Sequence, residues 1–143
     1  MLKAFLNKDI KIIKVHGADA KEYLNNIVTN NIDEINTSNT IYSCLLSPQG
    51  KFIADFFISY FDGGFYLLTN CKFYNDLIEA LNFYKLRSKI NIEDADKLYK
   101  YFFIPNNKYK FLFASDKVIV GQTILKNESY AFNDPRIENF GIH

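Results

Sequence analysis

Apolar residues along this chain recur with two periods, and the change from one to the other predicts the order of its elements. Residues 10–15 read as a first strand, ended by His16 and Gly17. Ala20, Tyr23, Leu24, Ile27 and Val28 then follow the i, i+3, i+4, i+7, i+8 spacing of one helical face, with Asp19 in the first turn, where the helix dipole favours an acid. Residues 29–39 are rich in Asn, Ser and Thr and read as helix end plus loop, with Ile32 and Ile35 as apolar anchors. Three β-rich runs follow over residues 41–46, 51–61 and 65–69. Ser47-Pro48-Gln49-Gly50 separates the first two, with Pro48 presetting φ and Gly50 free to take a positive φ. Asp62-Gly63-Gly64 separates the last two, and Asp-Gly between β-rich runs is a strong hairpin signal.

Tyr74, Leu77, Ile78 and Leu81 give a second amphipathic helix, with Asp76 and Glu79 on its outer face. Residues 89–93 alternate as a strand with Ile90 and Ile92 inward. The order contains the β-α-β-β-α-β pattern of a ferredoxin-like, split βαβ unit with one added strand. The predicted class is therefore α+β, an antiparallel-rich mixed sheet with two amphipathic helices on one face. Further on, residues 98–104 are β-prone, residues 109–114 and 117–120 read as a hairpin, residues 130–132 add a short strand, and Asn133-Asp134-Pro135-Arg136 is a turn.

One position in the middle strand breaks the pattern. Phe52, Ala54, Phe56, Ile58 and Tyr60 share one face, while Ile53, Asp55, Phe57, Ser59 and Phe61 share the other. Both faces are largely apolar, which implies cover on both sides, and Asp55 is the only charge inside the run. A carboxylate there must be hydrogen-bonded, paired or facing a cavity, because a lone buried charge is very costly. It is either a satisfied structural acid, an acid at a frayed sheet edge, or a group that faces a ligand.

A length of 143 residues predicts a single domain over 1–143, and 48% hydrophobic with 17% aromatic residues supplies ample core. The net charge of +1 gives no bulk electrostatic argument for nucleic acid or a membrane surface. No run has the length of a transmembrane helix and no signal peptide opens the chain, so a cytoplasmic protein without membrane partners is expected. Cys44 and Cys71 lack metal or redox spacing, and core packing is expected for both. His16 and His143 are the only histidines, which leaves no basis for a His-rich metal site.

Several stretches together resemble a known family. Gly17-Ala18-Asp19-Ala20 with Tyr23-Leu24 and Val28-Thr29-Asn30-Asn31 is similar to its opening signature. Leu45-Leu46-Ser47-Pro48-Gln49-Gly50-Lys51 with Asp55 resembles its central turn. Tyr84-Lys85-Leu86-Arg87-Ser88-Lys89 and Asp134-Pro135-Arg136 with Gly141 complete a series similar to the folate-binding YgfZ family, relatives of the glycine-cleavage T-protein, an aminomethyltransferase. The resemblance implies tetrahydrofolate as cofactor. It also implies an accessory role in assembly or repair of iron–sulfur enzymes, linked in bacteria to a tRNA-modifying enzyme that carries such clusters.

In the T-protein branch an aspartate after the central turn contacts folate, and Asp55 matches it. That branch has two adjacent acids there, whereas Ala54 precedes Asp55 here, which favours the YgfZ branch. The Lys-Gly-Cys-Tyr-x-Gly-Gln-Glu segment that carries the family's functional cysteine is absent, so the chain is expected to be the N-terminal part of that architecture, either a fragment or a shortened product, with no catalytic residue assigned. The folate-site candidates are Asp55, Gln49, Tyr84, Arg87 and Asn30. A carboxylate at Asp55 would accept from pterin N–H groups. Gln49 and Lys51 either meet a glutamate tail or lie in solvent. Arg87, beside Tyr84, either forks onto a carboxylate or pairs with Glu93 or Asp94. Asn30 either joins the site or caps the first helix. Expected partners are folate and iron–sulfur proteins, a second copy or the missing C-terminal half, and not nucleic acid directly, since Lys85, Arg87 and Lys89 are far short of a tRNA-binding surface. The other classes are an aminomethyltransferase-type enzyme fragment and a non-catalytic interaction or dimerisation module.

Overall fold

A computed structural model of the chain describes residues 3–105, 113 and 118–143. Its centre is a five-stranded sheet built from β2 (Ile10–His16), β3 (Ile41–Leu46), β4 (Phe52–Phe61), β5 (Gly64–Asn70) and β6 (Asn91–Asp94), in the order β3-β4-β5-β2-β6. Every ladder between neighbours in this sheet is antiparallel. Strands β5 and β6 run the same way with β2 between them, and α2 (Cys71–Lys85) connects them, which is the split βαβ relation. The α+β class and the antiparallel sheet with two helices, the other being α1 (Ala20–Ile27), follow the sequence pattern.

Turn chemistry sets the register. Asp62 and Gly63 both take the left-handed region, with φ of 46° and 66°, so β4 and β5 are joined by a two-residue turn whose twist suits the strands. At the other turn the Gly50 N–H donates to the Ser47 carbonyl at 2.8 Å and Gly50 has φ 78°. Between β3 and β4 the register shifts: Leu45 pairs with Ala54 and Leu46 with Phe52, which leaves Ile53 as an extra residue in a bulge. The bulge turns Ile53 toward the helix-side core, not to the face of Asp55 as simple alternation predicts.

Each sheet face has its own core. On one, Ile13, Val15, Phe56, Ile58, Phe65 and Leu67 meet Ala20, Tyr23 and Leu24 of α1 and Leu77 and Leu81 of α2. The Tyr23 hydroxyl donates to the Leu81 carbonyl at 2.6 Å and ties the two helices together. On the other, Ile12, Phe57, Phe61, Tyr66 and Leu68 are covered by Ala95, Tyr101 and Phe132. Phe61 is stacked between Tyr66 at 3.8 Å and Tyr130 at 3.5 Å.

That second cover comes from the C-terminal third of the chain. It contains a hairpin of β8 (Thr123–Lys126) and β9 (Ser129–Phe132), and a small sheet in which β7 (Phe102–Pro105) lies between β1 (Phe5–Leu6) and β10 (Gly141–Ile142). The buried hydroxyls of Thr40, Ser59 and Thr123 form a chain with both contacts at 2.7 Å, pinning this layer to the sheet. Of the hairpin expected over residues 109–120, only Phe113 and residues 118–120 are described, and none of these is in a strand.

Local readings also need correction. Asp19 is the N-cap of α1, but its carboxylate accepts the Lys89 N–H at 2.6 Å and caps no helix N–H. The C-cap of α1 is Val28, not Asn30. Cys44 is half-buried and Cys71 exposed, so neither packs as a core residue.

Candidate functional site

Strand alternation after the bulge puts Asp55 on the face away from the helices, where the C-terminal layer leaves the sheet partly uncovered. Cys44 pairs with Asp55 and Tyr42 with Phe57, so Tyr42 is the diagonal neighbour of Asp55 on the same face. The Tyr42 hydroxyl donates to Asp55 Oδ2 at 2.6 Å. Burial, aided by this bond to a carboxylate, pushes the Tyr42 phenol well above its ordinary range, which keeps it a proton donor. The Thr69 hydroxyl donates to the Asp55 carbonyl at 2.9 Å and fixes the backbone beneath the acid.

The opposite wall is a cation. Arg136 lies over Phe57 with 4.7 Å from Cζ to the ring centroid, and over Tyr42 at 5.4 Å. Its Nε and Nη2 fork onto Asp134 at 3.0 and 2.6 Å. The Asp134 side chain is 1% exposed and also meets His143 Nε2 at 2.8 Å, while Nδ1 of His143 meets the Tyr101 hydroxyl. Burial alone would raise the Asp134 carboxyl, but the bonds from Arg136 and His143 outweigh it and hold it down at about 2. Burial lowers His143 below its ordinary value against the pull of Asp134, so the imidazole is neutral near pH 7. A neutral ring that donates through Nε2 accepts at Nδ1, and the Tyr101 hydroxyl is then the donor, so every proton in the relay has a place.

Ile10, Tyr42, Asp55, Phe57, Lys72 and Arg136 line a groove of about 250 Å³. It adjoins a cavity of about 610 Å³ walled by Phe5, Tyr101, Phe103 and Phe140, and the two share Ile10, Phe57 and Arg136. Asn70 and Lys72, at the start of α2, form one rim, with Lys72 Nζ 4.6 Å from the Phe73 ring centroid. An acceptor-only carboxylate, a guanidinium fixed in plane and flat apolar walls suit the recognition of a planar polar heterocycle. Among the described residues no three His, Cys, Asp or Glu side chains are placed to hold a metal ion.

Of the residues singled out in the sequence, Asp55 faces this groove and Asn30 stands behind it. The Asn30 side chain donates to the Tyr42 carbonyl at 3.0 Å, and its N–H donates to the Ser43 hydroxyl at 3.1 Å, so it steadies β3. Gln49 is exposed at the tip of the β3–β4 hairpin, and Tyr84 packs on the helix-side core. Arg87 is exposed and in no ion pair among the described residues, since Glu93 is taken by His16 at 2.8 Å. The structure thus puts Asp55 in the groove, links Asn30 to it only through Tyr42, and leaves Gln49, Tyr84 and Arg87 outside. Sequence reasoning missed Tyr42 and Arg136 as groove residues, and Asp134 and His143 as the pair that holds Arg136. A signal for Tyr42 existed in the alternation of β3, whereas Arg136 was visible as part of a turn and of a family-like stretch, with no role assigned to it.

The chain has relatives of two kinds. Over 94 residues it is 36% identical to the "Iron-sulfur cluster assembly factor IBA57 homolog, mitochondrial" of Pyricularia oryzae, a match that covers 62% of this chain and 24% of that one. Over 59 residues it is 33% identical to the aminomethyltransferase of Xanthomonas axonopodis pv. citri, covering 41% of this chain and 16% of the other. It therefore spans a quarter or less of the length of these relatives. The solved glycine cleavage system aminomethyltransferase T of Bartonella henselae superposes with a TM-score of 0.74 over 97% of this chain and 40% of its own, at 13% identity, which is a likeness of fold. No helix among the described residues is long and apolar enough to cross a membrane. Residues 8–104 match the GCVT N-terminal domain, and the chain belongs to that family.

Proposed function

We propose that this chain forms one wall of a folate-type binding site in an accessory protein of iron–sulfur cluster assembly or repair, of the YgfZ kind, and through such clusters serves a tRNA-modifying enzyme. The observation that carries the reading is Asp55: a half-buried carboxylate, held on one oxygen by Tyr42, at an open groove between flat rings. A reduced pteridine presents ring N–H and amino groups along one edge, and an ionised carboxylate accepts from both. The neutral relay behind Arg136 keeps the groove free of a competing protonated imidazole. The kinship with an iron–sulfur assembly factor supports the accessory role.

Aminomethyl transfer is the less favoured reading. Ala54 occupies the place of the first of two adjacent acids in the T-protein, and it is fully buried in the helix-side core, where an added carboxylate would be desolvated.

Calorimetric titration of the chain with tetrahydrofolate and 5-formyltetrahydrofolate tests the proposal. Saturable binding is expected, weakened about tenfold or more in Asp55→Asn, because a hydrogen bond to a charged group is lost. Absence of binding by the unaltered chain at millimolar ligand would sink it.

A further inference from the structure

Two polar atoms at the groove lack partners among the described residues. Asp55 receives Tyr42 on Oδ2 alone, and its Oδ1 accepts no hydrogen bond from any described residue. Arg136 uses Nε and Nη2 for Asp134, and its Nη1 donates to none of the described residues. Both side chains line the same 250 Å³ groove, and both are set against one ring, since Tyr42 bonds Asp55 through its hydroxyl and lies under Arg136. They do not pair with each other: among the described residues Arg136 bridges only to Asp134.

Arg136 is also held more firmly than a surface arginine needs to be. Its fork is fixed by a buried acid, that acid is fixed by His143, and its face is sandwiched among Phe57, Tyr42 and Phe140, the last at 5.7 Å. A guanidinium whose plane is fixed, with one amino group left over, is preorganised to donate along a set direction.

We infer that Asp55 and Arg136 together read one edge of a heterocycle, Arg136 donating to a ring carbonyl while Asp55 accepts from the ring N–H and amino groups beside it. This rests on the pteridine reading above and sharpens it. What it adds is Arg136 as a binding residue that selects the ring carbonyl. Asp134 and His143 are then positioning residues that act through Arg136. Guanine carries the same edge, so a nucleoside is the other possible source of this chemistry.

Folic acid and aminopterin test the inference, because they differ along this edge: the first carries a carbonyl at ring position 4 and an N–H at N3, the second an amino group and a bare ring nitrogen. Facing an amino group, Arg136 would meet a donor with a donor, and sites that hydrogen-bond a ligand reject the mismatched analogue strongly. The unaltered chain should bind folic acid at least about tenfold more tightly by calorimetry. In the double variant Asp134→Asn/Arg136→Gln, which leaves no orphaned buried acid, that ratio should fall by about threefold or more, and what remains comes from Asp55, which faces an N–H in one compound and a bare ring nitrogen in the other. Equal affinities in the unaltered chain, or a ratio unchanged in the double variant, would overturn the inference while folate binding itself stood. Binding of neither compound would instead remove the folate reading on which it rests. Guanosine bound more tightly than folic acid would overturn the pteridine assignment. If the double variant shows no melting transition, the ratio measured in the unaltered chain decides.

Discussion

Asp134 and His143 owe their charge states to opposite causes: hydrogen bonds from its partners hold the acid ionised, and burial holds the imidazole neutral. The Asp134 carboxyl is held near 2 against an ordinary value of 3.8, and His143 is held below its ordinary 6.5. Both groups therefore bind fewer protons folded than unfolded, and stability rises with pH across each window. The His143 contribution is fully present above 6.5 and is lost as pH falls through its lower folded value. The Asp134 contribution is present above 3.8 and is lost toward about 2. Urea midpoints should accordingly fall from neutral pH to the acid side, and His143→Gln should flatten the upper part of that decline. A midpoint constant from neutrality to below the His143 transition would contradict the relay. At this scale the sequence was half legible. Asp55 stood out as one charge in an apolar run, which needs no partner to be noticed. The pairing of Asp134, Arg136 and His143 has no period, because two residues of a Pro turn meet a side chain brought back by β10. The Asp-Pro-Arg stretch thus read as a turn and as part of the family resemblance, without a binding role.

Element boundaries were legible wherever a period or a turn dipeptide ran long enough. Both helices appear where their apolar faces predicted them, and Asp62-Gly63 gives the expected tight turn. The misses are short or irregular. Strands β1 and β10 are two residues each, too brief to show alternation. The β8–β9 hairpin turns through Asn127 and Glu128, both at positive φ of 49° and 62°, and Asn-Glu is a much weaker signal than Asn-Gly. The bulge at Ile53 reverses alternation for one residue, which no pattern in a single strand reveals. The same logic predicts unequal tolerance along α2. Leu77 is 0% exposed and Phe83 73%. Leu77→Ala should cost about 2–5 kcal/mol by urea denaturation, against about 0.5 kcal/mol or less for Phe83→Ala. Similar losses at both positions would mean that the helix does not present this face to the sheet.

On the scale of the whole molecule, one sheet carries two unequal coats. The helical coat follows directly from amphipathic patterning. The other is assembled from short strands and aromatic stacks, and among the bonds that fasten it are the Thr40 N–H to the Gly121 carbonyl at 2.7 Å and the Thr40–Thr123 hydroxyl contact at 2.7 Å. Its composition, rich in aromatic residues and poor in period, explains why the sequence located its substance but not its course. The groove lies on the seam between the two parts, with Asp55 contributed by the sheet and Arg136 by the coat. A molecule lodged there grips both sides and works as a clasp. Because proteases cut a segment mainly while it is transiently detached, occupancy should protect the coat in proportion to affinity. Timed digestion should then show cleavage near the exposed Ile137 slowed by saturating folic acid, while any cuts in the helical half proceed unchanged. Equal rates with and without ligand would mean that nothing bridges the seam. With one wall of the groove on each side of the seam, resistance to trimming would become a direct reporter of a filled groove.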